Sequence, residues 1–313
     1  MKQTRRFLIL LLMWQLISLP TLLADNKLIS SVNEVSKSTL QLPKETLITR
    51  HSPKLNGGGR VEGSIRVLLA ESFDVNGNAT VTGDIYVPGS PEIQINSSVY
   101  KGTVIGDGNQ YPSNNYIIKL RGSSTVNRIV TRTDAVKISP VPTVTQTQGT
   151  RDVFLIKGDK PGDFSTIRDL VLTRKYNLML EIPEGSYGIF RAHGRSGFIL
   201  GVDNQETTYN LQSLELNSDT RLEIRGKVTI NIKNGLTLNS EAKMGYSNNP
   251  RSLFVNLESG EAKLNSNTEF YGVLNAPLGM VTLNSNSRLV GLVICDRANL
   301  NSNSVLSIIS SSN

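Results

Sequence analysis

The chain has 313 residues with 33 Lys and Arg against 26 Asp and Glu, a formal charge of +7, and only 6% aromatic residues, few for the core of a globular enzyme of this length. Its one cysteine, Cys295, excludes an internal disulfide, and its scattered basic residues lack the interleaved aromatics of a nucleic-acid surface. The composition suits a solenoid, whose narrow core of small aliphatic side chains is shared between stacked rungs.

At the N-terminus, Lys2, Arg5 and Arg6 precede an apolar run from Phe7 to Trp14, followed by Pro20 and Leu22-Leu23-Ala24. That order matches a signal peptide, so residues 1–24 are read as a cleaved leader. The expected location is then the cell envelope, the cell surface or the medium. The whole stretch from Phe7 to Ala24 is barely long enough to cross a bilayer, and Gln15 and Pro20 interrupt it, so no stable membrane span is expected after cleavage. Residues 25–54 hold Pro43 and Pro53 without sustained periodicity and read as a flexible spacer.

Residues 55–313 read as an all-β, single-stranded β-helix with about 17–26 residues per rung. Leu-Asn, Val-Asn or Ile-Asn followed by a small residue recurs at Asn56, Asn76, Asn96, Asn217 and Asn239. Three full copies close the series: Leu264-Asn265-Ser266-Asn267, Leu283-Asn284-Ser285-Asn286 and Leu300-Asn301-Ser302-Asn303. Gly83, Gly272 and Gly291 each follow their repeat's Asn at one fixed distance and read as corner glycines. Short alternations of apolar and polar residues between these marks suit strands with one buried face. Asn tolerates the left-handed backbone of a sharp corner, and stacked amides can bond up and down a ladder, so Asn239, Asn265, Asn284 and Asn301 read as a structural Asn ladder. About 13 rungs and a rod of about 60 Å are expected from the inter-strand spacing.

Within this domain, residues 139–150 carry Pro140 and Pro142 and read as a loop excursion. Phe164, Ile167, Leu170 and Val171 fit either a short helix or an apolar strand. Cys295 lies in an apolar stretch and reads as a buried small hydrophobe. After the final repeat the chain reads either as an uncapped rung able to template end-to-end self-association or as a Ser-rich tail, residues 310–313, folded over that edge.

The stretch Phe270-Tyr271-Gly272-Val273-Leu274-Asn275-Ala276-Pro277, with Leu283-Asn284-Ser285-Asn286 and Val290-Gly291-Leu292 after it, resembles an uncharacterised bacterial domain of exported envelope and pilus-associated proteins. It is similar in style to the polymer-forming bactofilins. The resemblance implies a β-helix and export, and it supplies no catalytic residues.

Catalytic signals are sparse. His51 falls in the spacer and His193 at a rung corner, and neither belongs to a metal-binding or nucleophile motif. A polysaccharide lyase or hydrolase would need converging acids, for which Asp84, Asp203, Glu206, Asp296 and Arg297 are the candidates. A sugar-binding platform would need Tyr86, Tyr187 and Tyr271 on one face. Thr229, Thr237, Thr268 and Thr282 do not repeat at one rung position, which argues against a threonine array of the ice-binding kind. No cofactor or metal is expected. The leading reading is a non-enzymatic envelope or surface protein, structural, adhesive or polymer-forming, whose partners are an envelope polysaccharide or another surface protein. Glu269, Arg288 and Val305 fall at one equivalent position where copies differ, and are the first place to look for recognition.

Overall fold

The computed structural model describes residues 45–109 and 114–309. The leader 1–24 and residues 25–44 of the spacer lie outside the described residues. The rest is a β-solenoid of about 11 turns built from parallel strand pairs. The turns are fewer than the rung period suggests because residues 132–150, 106–109 and 156–163 add length without adding a rung.

The core is a set of inward columns. One runs Tyr209, Ile230, Val255, Leu274, Val293, Leu47, Ile65, Ile85 and Ile129, each in register with the next and none more than 1% exposed. Alternation places every second side chain on such a column, and each fully buried aliphatic contributes about 1.5–3 kcal/mol. Stability is thus distributed along the rod rather than concentrated in one core.

Stacking order departs from chain order. The chain enters in the middle of the rod: Glu45–Thr49 pairs on one side with Ser64–Val67 and on the other with Arg288–Leu300. It winds outward through Phe73–Val75 and Thr80–Tyr86, then overshoots by one rung. Glu92–Asn96 forms the outermost segment, and Ile117–Arg121 returns to fill the place between it and Phe73–Val75. Residues 132–150 then run back to the other end. Arg66 donates to the Asp134 carbonyl, Val144 N–H to Glu258 Oε2, and Thr147 Oγ1 to the Ile167 carbonyl. There Arg151–Leu155 pairs with Ile167–Leu172, and the chain builds inward rung by rung to Arg288–Leu300 and Val305–Ser307.

Three expectations change. Residues 45–54 are not spacer, because Glu45–Thr49 is buried along its whole length. The last repeat is not an uncapped edge, because Val305–Ser307 pairs with Arg288–Leu300 on one side and with Arg60–Glu62 on the other. The excursion at 139–150 belongs to a longer strap joining the two ends. The ambiguous segment resolves as a 3-10 turn, Phe164–Thr166, leading into the strand Ile167–Leu172.

Candidate functional site

The Asn-bearing corners build one edge of the rod. The left-handed residues are the two after the leading Asn: Ser266 and Asn267 at φ 60° and 60°, Ser285 and Asn286 at 52° and 61°, Ser302 and Asn303 at 52° and 59°. The same geometry recurs at Gly57–Gly58, Gly77–Asn78, Ser218–Asp219 and Ser240–Glu241. Gly, Asn and Asp adopt it at the lowest cost, which explains why small and Asx residues fill these positions. Each turn is tied to the next by a backbone bond: Asp219 N–H to Ser240 O at 2.7 Å, Asn267 to Ser285 at 2.8 Å, Asn286 to Ser302 at 2.9 Å, Asn303 to Gly57 at 2.9 Å and Gly58 to Gly77 at 2.7 Å.

The leading Asn ends its strand, as at Asn217 and Asn239, or follows it directly, as at Asn265 and Asn284, and bonds sideways. Asn239 Nδ2 donates to Asn217 Oδ1 at 3.1 Å, Asn265 to Asn239 at 3.1 Å and Asn284 to Asn265 at 2.9 Å. Asn301 stands outside this ladder, its amide turned to Asn299 Oδ1 at 3.1 Å. The residue after each left-handed pair points inward and is small: Thr220, Ala242, Thr268, Ser287 and Ser304 are fully buried. Size is what that position requires, since the hydroxyls of Thr220, Thr268, Ser287 and Ser304 bond no protein group.

Gly83, Gly272 and Gly291 are not corners of the left-handed kind, because none has a positive φ. Gly272 and Gly291 face each other within extended strands. A Cβ on Gly291 would lie 1.7 Å from the Gly272 carbonyl oxygen, so these glycines permit close backbone approach between stacked rungs.

A second amide row escaped the sequence reading. Asn231 donates to Asn210 at 3.0 Å, Asn256 to Asn231 at 2.9 Å and Asn275 to Asn256 at 3.3 Å, all in mid-strand. Its signal is an apolar-Asn-apolar triplet, as in Ile230-Asn231-Ile232 and Val255-Asn256-Leu257. Although this row faces away from the core, Asn231 is only 5% exposed and Asn275 Oδ1 is buried without a partner. The strap's bond to Glu258 lies two residues past Asn256.

The corner edge, by contrast, opens to solvent as a groove of about 870 Å³ lined by Arg174, Asn177, Arg195, Ser218, Asp219, Ser240, Glu241, Ser266 and Asn267. It offers hydroxyls, amides and both signs of charge at the rung repeat. Glu269, Arg288 and Val305 do share one column, which continues to Lys243 on one side and Arg60 on the other. Lys243 Nζ lies 3.2 Å from Glu269 Oε1.

The candidate acids are dispersed. Asp84 is gripped by Arg128 and by Asn127 Nδ2 at 2.8 Å, and the Arg128 bond holds its carboxyl below the ordinary carboxylate range. Glu206 pairs with Lys227 at 2.7 Å and shares a shallow groove with Asp203 and Arg251. Asp296 lies 3.2 Å from Arg50 and 3.6 Å from Arg297. His51, placed in the spacer by sequence, sits between Glu71 at 2.8 Å and Asp296 at 3.8 Å. His193 ends the strand before the left-handed Gly194–Arg195 pair.

The aromatics do not share a face. Tyr187 is buried against Phe190, Tyr86 lies beneath the Arg66 guanidinium at 4.7 Å, and Tyr271 donates to Glu269 at 2.7 Å. Thr237 and Thr282 prove to occupy one register column, with Lys263 between them, while Thr268 and Thr282 are both buried. Cys295 is fully buried, and burial pushes its thiol up to about 12. Among the described residues no group of three or more His, Cys, Asp or Glu is placed to hold a metal ion, and no helix is long and apolar enough to cross a membrane.

No family model matches the chain, and no curated protein matches it. Among solved structures, an ice-binding protein from an Antarctic bacterium Flavobacteriaceae is similar over 91% of this chain and 85% of that one, at 12% identity and a TM-score of 0.21.

Proposed function

We propose that this β-solenoid is an exported, non-catalytic recognition rod of the cell envelope or surface, which binds an extended envelope polysaccharide along its Ser–Asn corner edge. One observation carries the reading: the left-handed corners are bonded rung to rung, so exposed hydroxyl and amide groups recur in register along one edge. A polymer of repeating hydroxyls can meet such an edge through many weak hydrogen bonds, whose avidity grows with the number of rungs engaged. Two carboxyls of the rod, Asp84 and Glu215, are held by guanidinium and amide partners rather than poised as general acids. Burial alone would raise the Glu215 carboxyl, but bonds from Asn217 and Arg191 more than offset it, as Arg128 does at Asp84. Carboxyls held ionised are poor proton donors.

The test uses the full chain against a panel of envelope polysaccharides, with binding and release of cleaved product both recorded. In a triple variant, Glu241→Gly, Asn267→Gly and Asn286→Gly, glycine keeps the left-handed backbone while removing the edge side chains. Binding is expected to fall about tenfold or more, by about 1.4 kcal/mol, with little change in melting. Undiminished binding by the variant, or cleavage of the polysaccharide, contradicts the proposal.

A further inference from the structure

The middle of the rod is a junction between residues distant in sequence. On successive sides of the turn, Leu47 meets Val293, Leu55 meets Leu300 and Val61 meets Leu306, all in parallel register. No peptide bond crosses this seam. It divides the described residues into a half-solenoid of residues 45–131 and another of residues 151–309, and the strap 132–150 is their one covalent link.

The two seam surfaces fit each other specifically. A Cβ on Gly58 would meet Asn303 Oδ1 at 2.2 Å, and one on Gly59 would meet the Leu300 carbonyl oxygen at 2.5 Å. Arg50 lies 3.2 Å from Asp296, and Ser307 Oγ donates to Glu62 at 2.8 Å. Separated, each half would expose unpaired strand edges and an open apolar column. The surface that satisfies both is the matching half, and every copy of the chain carries it.

We propose that the seam is an exchangeable interface, and that its partner in trans is a second copy of this chain: residues 45–131 of one molecule dock on residues 151–309 of another. Reciprocal exchange closes a two-fold dimer of two complete rods and creates no new surface chemistry. The strap allows it, because 18 Cα steps reach about 60 Å and can link halves in two adjacent rods. In dilute solution the strap holds the halves at an effective concentration of about millimolar, so closure within one chain wins. Exchange therefore emerges when folding takes place near that concentration.

The experiment places a Thr49→Cys substitution in the full chain. Thr49 is the register partner of Cys295 and both are fully buried, so a disulfide there reports which chains share a seam. The variant is refolded with oxidant at about 1 μM and at about 1 mM, bracketing the effective concentration set by the strap. Monomer with an internal disulfide is expected at the lower concentration, and a several-fold larger share of reducible covalent dimer at the higher. In parallel, isotope-labelled and unlabelled native chains are refolded together at the higher concentration. Native mass spectrometry should show mixed dimers, with Cys295 shielded from thiol reagents. Monomer alone in both experiments overturns the proposal, and so do dimers whose Cys295 reacts as an exposed thiol.

Discussion

Replacing Gly291 with alanine is expected to destabilise the rod by about 3 kcal/mol or more, at the upper end of overpacking effects. The added Cβ would sit 1.7 Å from the Gly272 carbonyl oxygen and 2.8 Å from its carbon. Both obstacles are backbone, so no rotamer change relieves them. Gly291 and Gly272 are register partners in strands hydrogen-bonded on both sides of this point, and opening one rung disturbs the pairs from Phe270–Leu289 to Leu274–Val293. Gly235→Ala is the matched control. Its Cβ meets only the Glu261 carbonyl oxygen at an ordinary 3.4 Å, and its φ is not positive. There alanine should leave stability unchanged or raise it by about 0.4–1 kcal/mol, because it restricts the unfolded chain. Denaturant midpoints followed by far-UV circular dichroism compare the two.

Leu47→Ala is expected to cost about 2–5 kcal/mol, the range for a fully buried leucine whose cavity cannot collapse. Leu47 is 0% exposed and lies between Val293 and Ile65, so it packs against the first and last parts of the described chain together. Since solenoid stability is carried by nearest-neighbour interfaces, weakening this one should also divide unfolding into two steps. Ile95→Ala offers the contrast: that residue lies on the outermost strand at 54% exposure, and its loss should stay within about 0.5 kcal/mol. Equal effects at the two positions would mean that residues 45–49 do not pack where the structure places them.

Much of the coil was readable because its period is written in residue types. The Leu-Asn-Ser-Asn copies mark a buried strand end, a laddered amide and two left-handed residues, each with a distinct chemical demand. Their spacing brought Glu269, Arg288 and Val305 to one position without any structure. The sequence puts the left-handed role one residue too early, on the leading Asn rather than on the pair after it. Ser at φ near 55° is less expected than Asn, and it persists because the turn-to-turn backbone bonds offset its cost.

The seam left no such mark. Glu-Thr-Leu-Ile-Thr, residues 45–49, shows no clean alternation because it is covered on both faces: Thr46 and Thr49 are as buried as Leu47, and Glu45 is 8% exposed beside Arg66. Pro43 and Pro53 on either side lent it the look of a linker. Nor does a repeat period state which rung lies beside which. Chain order and stacking order coincide in a simple coil, and here they part at two places, the overshoot at Glu92–Asn96 and the return along residues 132–150. The prolines at 140 and 142 revealed that the segment is not a central strand, but its course depends on side-chain anchors such as Glu258 and Arg66 that lie far away in sequence.

The first described rung sits inside the rod, clasped by the last. Native-state hydrogen exchange on peptides covering residues 45–55 and 300–309 reports on this contact. The amides of Arg50, His51 and Asn56 donate to the carbonyls of Cys295, Asp296 and Leu300, and that of Ile308 to Glu62. Both peptides should be protected together, exchange at a common rate, and lose protection together in Leu47→Ala. Exchange of residues 45–55 at the rate of an unstructured chain while 300–309 stays protected would contradict it.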